Sequence, residues 1–327
     1  MTAAITTEKL TKMYGQQRGI VNLALEVARG EVFGFLGPNG AGKTTTIRVL
    51  LDLIRPTSGS VRILGLDSQA DSLRIRGQVG YLPGEYTLYS HLSGAETVLF
   101  FGNLRGGVDE NYVRELGERL GFDFSRKAGD LSTGNKRKLG LIQAFMHRPE
   151  LIILDEPTSG LDPLVQREFY EMVDEARAAG QTVFLSSHVL PEVQRVCDRV
   201  AFVRDGELVA VEDVAELAER AIRHVEIEFA APVPAAAFAG LQGVSEVRGE
   251  GAFLRFAVTG HLDSVVKKAA EYEVVTLSSH EPDLEDLFLT YYGAGKDGGE
   301  DGGENGGENG GENGVRNGED GGKNDAA

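Results

Sequence analysis

Residues 37–44 read Gly-Pro-Asn-Gly-Ala-Gly-Lys-Thr, which satisfies G-x-x-x-x-G-K-T in full. No other stretch constrains the fold so tightly. The pattern works only between a strand and a helix. Its glycines let successive backbone N–H groups turn inward around a phosphate, and the helix N-terminus adds the positive end of its dipole. The neighbours agree: Glu31-Val-Phe-Gly-Phe-Leu36 is an apolar run of strand length, and from Thr45 to Ile54 apolar residues recur at helical spacing. On this reading Gly37, Pro38, Asn39, Gly40, Ala41, Gly42, Lys43, Thr44 and Thr45 cradle a nucleoside triphosphate. Lys43 reaches the β and γ phosphates, and the Thr44 hydroxyl holds Mg²⁺. Chance produces such a pattern in roughly one chain in a hundred of this size. Alone, the loop therefore supports nucleotide binding and nothing finer.

A second segment adds chemistry. Leu151-Ile-Ile-Leu-Asp155-Glu156 is an apolar run that ends in two carboxylates. A strand of that kind places its acids at the carboxyl edge of a parallel sheet, beside a phosphate loop. Asp155 suits Mg²⁺ held through water, and Glu156 suits the orientation and deprotonation of an attacking water. Two acids that merely cap a strand are the alternative, which the phosphate loop upstream makes the weaker one.

Between them lies Asp130-Leu-Ser-Thr-Gly-Asn-Lys-Arg-Lys-Leu-Gly140, which opens a helix running to about His147. Ser132 occupies its N-cap position. Lys136, Arg137 and Lys138 fall in the first turns, where positive charge opposes the helix dipole, and this points to an anion nearby. A solvated basic face is the other reading.

Together these segments resemble the ATP-binding subunit of ABC transporters, in the family's order, over residues 1 to about 220. Leu131-Ser-Thr-Gly-Asn135 resembles the signature Leu-Ser-Gly-Gly-Gln, departing at Thr133 and Asn135 while keeping Ser132 and Gly134. Asp155-Glu-Pro-Thr-Ser-Gly-Leu-Asp162 resembles the family's Walker B and D-loop segment. His188, in Ser-Ser-His-Val-Leu, matches the switch histidine, and Tyr14, in Leu-Thr-Lys-Met-Tyr-Gly, matches the aromatic that stacks on adenine. From the residues alone Tyr14 sits where aromatics are usually core.

The resemblance implies an ATPase that uses ATP and Mg²⁺ and works as a head-to-tail homodimer. Lys43, Glu156 as general base and His188 would form the catalytic set, with Thr44 and Asp155 on the metal. Ser132 and Gly134 would face the γ-phosphate bound by the partner chain. The membrane permease would be a separate polypeptide, with this chain at the cytoplasmic face of the membrane. Residues 281–288, Glu-Pro-Asp-Leu-Glu-Asp-Leu-Phe, resemble the Glu-Pro-x-Leu-Glu-Asp-x-Phe of drug-resistance-type exporter ATPases, which favours export, with drugs or lipophilic compounds as candidate cargo. The alternative is a soluble ABC-type ATPase or a nucleotide-sensing module not coupled to transport.

One family position departs. A glutamine is usual in the loop after the strand Gln78-Val-Gly-Tyr-Leu82, and the aligned residue here is Gly84, in Pro83-Gly84-Glu85. Two readings stay open. Glu85 could supply the contact, or Pro83-Gly84 could form a type II turn that needs positive φ at Gly84.

Three sections follow from the patterning. Residues 1–220 alternate apolar runs with helical periodicity, as an α/β P-loop nucleotide-binding domain of ABC type does. Within them the sequence predicts a strand at Val61–Leu64, a capping box at Ser93–Glu96, a helix from Asp162-Pro163 to Gly180 and a hairpin on Asp205-Gly206. Residues 221–292 form a small α+β domain, with strands at Val225–Phe229, Phe253–Val258 and Glu273–Leu277, a helix over His261–Tyr272 and a last helix from Glu281. Residues 293–327 form a Gly/Glu/Asn-rich acidic tail, too poor in apolar residues to offset its ordering entropy and so expected to be disordered.

A net charge of −17 argues against nucleic acid as a partner. Nine acids and three bases in residues 296–327 give −6 of it, leaving −11 for the rest. No apolar run is long enough to span a bilayer, and no signal segment opens the chain. Cys197, the only cysteine, excludes an intrachain disulfide and is expected as a packed helix residue. His91, His147, His224, His261 and His280 lack ligand spacing, so no metal is assigned to them.

Overall fold

Residues 3–220 and 222–280 are described by the computed structural model. The apolar runs lie in a six-stranded sheet built from β3 (Val32–Leu36), β6 (Val79–Leu82), β7 (Leu151–Asp155), β8 (Thr182–Ser187), β9 (Arg199–Arg204) and β10 (Glu207–Asp213), in the order β10-β9-β3-β8-β7-β6. All pairs are parallel except β9–β10. Every residue of β3, β7 and β8 is buried, which is why these strands read as continuous apolar runs rather than alternating ones. The order places β8 between β3 and β7. The carboxyl ends of all three strands therefore share one edge, and the chain leaves that edge at Gly37, Glu156 and His188.

A second sheet, in the order β2-β1-β4-β5, is antiparallel: β1 (Ala3–Tyr14), β2 (Gln17–Ala28), β4 (Ser58–Ile63) and β5 (Leu66–Asp67). Tyr14 ends β1, paired with Gln17 and 47% exposed, rather than entering the core. Its sheet shares one apolar cluster with β3 and with α1 (Lys43–Leu50), including Ile5, Leu10, Phe33, Phe35 and Ile47. The helix is shorter than its periodicity suggests. Leu51 caps it, Asp52 turns to φ +53°, and the Leu53 amide bonds back to the Arg48 carbonyl.

Helix α2 (Ser72–Gln78) leads into β6, and α3 (Gly94–Asn103) and α4 (Glu110–Arg119) pack on α5 (Thr133–Phe145). Both bonds of the expected capping box are present at Ser93 and Glu96. Asp162 caps α6 (Pro163–Ala178) by accepting from the Leu164 and Val165 amides, and Gly180 takes φ +81° just past its end. The Asp205-Gly206 hairpin has positive φ at both residues, the type I′ geometry. Cys197 lies just after α7 (Leu190–Val196) as its C-cap rather than inside it, buried, with burial pushing its thiol pKa up. Helix α8 (Val214–Arg220) closes this part of the chain.

A third sheet, β12-β13-β11-β14, is antiparallel throughout: β11 (Ile222–Phe229), β12 (Val244–Glu250), β13 (Phe253–Thr259) and β14 (Val274–His280). With α9 (Ala236–Ala239) and α10 (Asp263–Ala269) it encloses a separate cluster that includes Val225, Ile227, Phe229, Phe238 and Phe256. β12 escapes sequence patterning because it is a polar edge strand, Val-Ser-Glu-Val-Arg-Gly-Glu. The helix expected from Glu281 and the tail from residue 293 lie outside the described residues.

Candidate functional site

The phosphate loop is shaped by close backbone approaches. At Gly37 a methyl group would sit 2.3 Å from the Val203 carbonyl oxygen; at Gly42, which has φ +100° and N-caps α1, it would sit 2.5 Å from the Gly19 oxygen. Only glycine fits either place. Pro38, Asn39 and Gly40 form the exposed crest, and Ala41 is buried beneath it. Lys43 begins α1 and is buried, its ammonium folded back to donate to the Gly37 and Pro38 carbonyls at 2.6 and 3.2 Å.

Five of the expected site residues join one network at the carboxyl edge. The Thr44 hydroxyl donates to Asp155 Oδ2 at 2.8 Å. Asp155 is fully buried, and its other oxygen accepts from the Ser186 hydroxyl at 2.6 Å. Glu156 has φ +51°, a left-handed conformation that costs a non-glycine residue about 1–2 kcal/mol. Ser186 holds it there: the Glu156 amide donates to the Ser186 carbonyl at 3.2 Å and hydroxyl at 3.1 Å. That turn aims the carboxylate back across the edge, where Oε1 lies 3.1 Å from Lys43 Nζ and Oε2 lies 2.7 Å from His188 Nδ1. With Glu156 ionised, Nδ1 of His188 carries the proton in this contact.

Ser132, Gly134 and Tyr14 stand outside this network. Ser132 is the expected N-cap of α5, exposed, accepting from the Asn135 amide. Gly134 packs so closely on the Asp155–Asp162 segment that a methyl group there would sit 3.0 Å from the Gly160 carbonyl oxygen. Tyr14 borders the loop helix: a methyl group at Gly19 would meet both its ring, at 3.0 Å, and Thr45 Cγ2, at 3.1 Å.

Two expectations are corrected. In the basic run, Arg137 meets carbonyls rather than an anion, while Lys136 and Lys138 are half-buried. Arg137 is buried, only 8% exposed, and donates to the Pro83, Gly84 and Asp155 carbonyls at 2.8, 3.1 and 3.4 Å. Nor does Pro83-Gly84 form a type II turn, since Gly84 is not among the positive-φ glycines. The glycine has a steric cause instead, because a methyl group there would sit 2.8 Å from Asp155 Oδ2. Glu85 is exposed.

Sequence reasoning also missed Ser186 and Glu192. Glu192 on α7 accepts from the Thr158 hydroxyl at 2.5 Å and the Ser187 hydroxyl at 2.8 Å, tying the segment after Glu156 to the strand end before His188. Tyr81, on β6 beside β7, keeps its phenol protonated: burial and then the Asp155 charge push its pKa up to about 12. The arrangement offers a phosphate-sized loop with a buried cation, an oxygen pair suited to a hard divalent cation, and a carboxylate held between Lys43 and His188.

Comparison with known proteins shows the family. The model of the ABC transporter family matches residues 20–159. The bacitracin transport ATP-binding protein BcrA of Bacillus licheniformis is 34% identical over 309 residues, covering 91% of this chain and 100% of that protein. The linearmycin resistance ATP-binding protein LnrL of Bacillus subtilis (strain 168) is 30% identical, covering 88% of this chain and 98% of that one. Among solved structures, the ATP binding subunit of an ABC transporter superposes with a TM-score of 0.61 at 30% identity, covering 66% of this chain and 92% of that chain. A dimeric bacterial ABC transporter cassette, MJ0796, superposes with a TM-score of 0.59 at 23% identity, over 64% of this chain and 98% of that one, a likeness of fold.

Proposed function

The chain belongs to the ABC transporter family as an ATP-binding ATPase subunit, and from that membership we propose how its residues bind and hydrolyse ATP and what the hydrolysis drives. The observation that carries the proposal is the continuous network from Thr44 through Asp155 and Ser186 to Glu156, with Lys43 and His188 on the Glu156 carboxylate.

Residues 37–45 wrap the phosphates, and Tyr14 takes the adenine on the open side of α1. Lys43 is held by two carbonyls and Glu156. A phosphate is a stronger partner for an ammonium than a carbonyl is, so its arrival draws Lys43 off and frees Oε1 of Glu156. That oxygen then accepts the proton of a water aimed at the γ-phosphorus, as a general base. His188 keeps Glu156 oriented through Nδ1, and its Nε2 reaches the γ-phosphate as a donor when the ring carries both protons.

Mg²⁺ suits the Thr44 hydroxyl and the Asp155 carboxylate, two hard oxygen donors 2.8 Å apart and held there by Ser186. When bound, it would neutralise charge on the β and γ phosphate oxygens. The buried Asp155 keeps its place through backbone and hydroxyl contacts.

Ser132 and the start of α5 are exposed, which suits a second copy whose γ-phosphate meets Ser132 and the Gly134 amide in a head-to-tail dimer. Loss of the γ-phosphate would remove the shared ligand and let the halves separate. On this reading residues 1–220 are the nucleotide-binding domain and 221–292 an accessory α+β domain, of which 222–280 are described, and residues 293–327 are an acidic segment of the sequence. No helix among the described residues is long and apolar enough to cross a membrane. From the family membership, a separate permease would supply the pore, with this chain on its cytoplasmic side. BcrA and LnrL are named for bacitracin transport and linearmycin resistance, which supports export of a lipophilic or antibiotic compound here.

The test is to purify the tagged full chain from detergent-solubilised membranes of its source cells. Recovery of a stoichiometric polytopic partner that raises the ATPase rate is expected. An active ATPase recovered wholly without a membrane partner would overturn the transport reading.

A further inference from the structure

Arg137 ties α5 to both the Pro83-Gly84 loop and the end of β7. Its guanidinium is buried and forms no ion pair among the described residues. One nitrogen donates to the Pro83 carbonyl at 2.8 Å and the Asp155 carbonyl at 3.4 Å, and the other to the Gly84 carbonyl at 3.1 Å. Burial lowers its pKa, and the Asp155 and Glu156 charges oppose that shift. A buried cation costs free energy that a neutral side chain would not, so satisfying three carbonyls is a weak reason for its presence.

The loop explains it better. Gly84 carries no side chain, and a methyl group there would already sit 2.8 Å from Asp155 Oδ2. No side chain at this position can link the loop to the acids. Gly84 faces Asp155 with no side chain of its own, and a planar fork of donors is suited to holding several carbonyls in fixed relation. We infer that Arg137 is a positioning residue for ATP hydrolysis: it clamps the Pro83-Gly84 loop onto Asp155 from behind and joins α5, whose N-cap is Ser132, to the acids of its own site. The clamp does through carbonyls what a loop side chain cannot do here. This rests on the ATPase reading above, and it adds a residue outside the phosphate loop, the acid pair and the histidine.

The experiment uses the purified full chain with Mg²⁺ and ATP, and compares wild type with Arg137→Lys, Arg137→Met and Gly84→Ala. Lysine keeps the charge but offers no planar fork. For Arg137→Lys, kcat is expected to fall about fivefold or more while ATP affinity, set by the phosphate loop, stays within about threefold and the melting temperature holds. Arg137→Met should fall further, and if it does not fold, the lysine variant is read alone. Combined with Gly84→Ala, which displaces the same loop, Arg137→Lys should cost less than it does alone, because the two changes break one contact. A kcat for Arg137→Lys within twofold of wild type would overturn the inference. So would strict additivity with Gly84→Ala, or parallel losses of kcat, ATP affinity and melting temperature. Wild-type protein that does not hydrolyse ATP at all would instead refute the ATPase reading.

Discussion

Lys43 Nζ lies 3.1 Å from Glu156 Oε1, so the phosphate-loop cation and the candidate base occupy each other until a phosphate arrives. Lys43→Ala is expected to weaken ATP binding by about a hundredfold, since a charge-assisted phosphate contact is lost. The fold should survive, because the Gly37 and Pro38 carbonyls lie at the loop and His188 still partners Glu156. Calorimetric titration with ATP beside a thermal melt without it separates the two effects.

Gly84 and Glu85 make opposite predictions. Gly84→Ala pushes a methyl group to 2.8 Å from Asp155 Oδ2 and should cut turnover by about tenfold through displacement of the acid or the loop. Glu85 is exposed, and Glu85→Ala should leave basal turnover close to wild type. Steady-state rates of both variants decide between the steric account and a catalytic Glu85.

Ser186→Ala removes the 2.6 Å bond to Asp155 Oδ1 and one of the two acceptors of the Glu156 amide. A buried carboxylate oxygen left unpaired costs about 1–3 kcal/mol, and the strained turn at Glu156 loses support. Both a lower urea midpoint and a lower kcat are expected, with ATP affinity less affected than by Lys43→Ala.

His147 gives a pH signature. Burial, with a smaller contribution from the Arg105 charge, pushes its pKa down to about 4, while the Val79 backbone opposes the shift. The unfolded chain binds a proton near the ordinary value of about 6.5 and the folded chain does not. Stability therefore falls as pH drops from about 6.5 toward 4, by about 2 kcal/mol once partial exposure is allowed for, and not above that window. Urea unfolding at neutral and mildly acidic pH should show this loss in wild type and a smaller one in His147→Gln.

Features with a local cause were legible in the sequence. The phosphate loop, the Ser93–Glu96 box, the Asp162 cap and the Asp205-Gly206 hairpin each need only residues a few positions apart. Asp155 and Glu156 were legible because an apolar strand ending in acids shares the chain with a phosphate loop, and in a parallel sheet both meet at the carboxyl edge. Arg137 was not, since a charge run reads alike whether it meets solvent, an anion or carbonyls 53 and 54 residues away. Ser186 and Glu192 carry no pattern; only the β7–β8 pairing and the turn into α7 bring them to the site. At Gly84 the residue type was informative but its cause was not, because a close approach to Asp155 and a positive φ both select glycine.

In the proposed mechanism Glu156, held by Ser186 and His188, takes the proton from the attacking water. Glu156→Gln keeps the shape, and its amide oxygen can still accept from Lys43, but its NH2 group replaces the oxygen that faces His188 Nδ1 and the side chain cannot act as that base. The decisive measurement is its steady-state ATPase rate, taken beside its ATP affinity and the mass of the protein in ATP. The rate should fall by about a hundredfold or more at unchanged affinity, with an ATP-bound dimer accumulating. Turnover at the wild-type rate would contradict it.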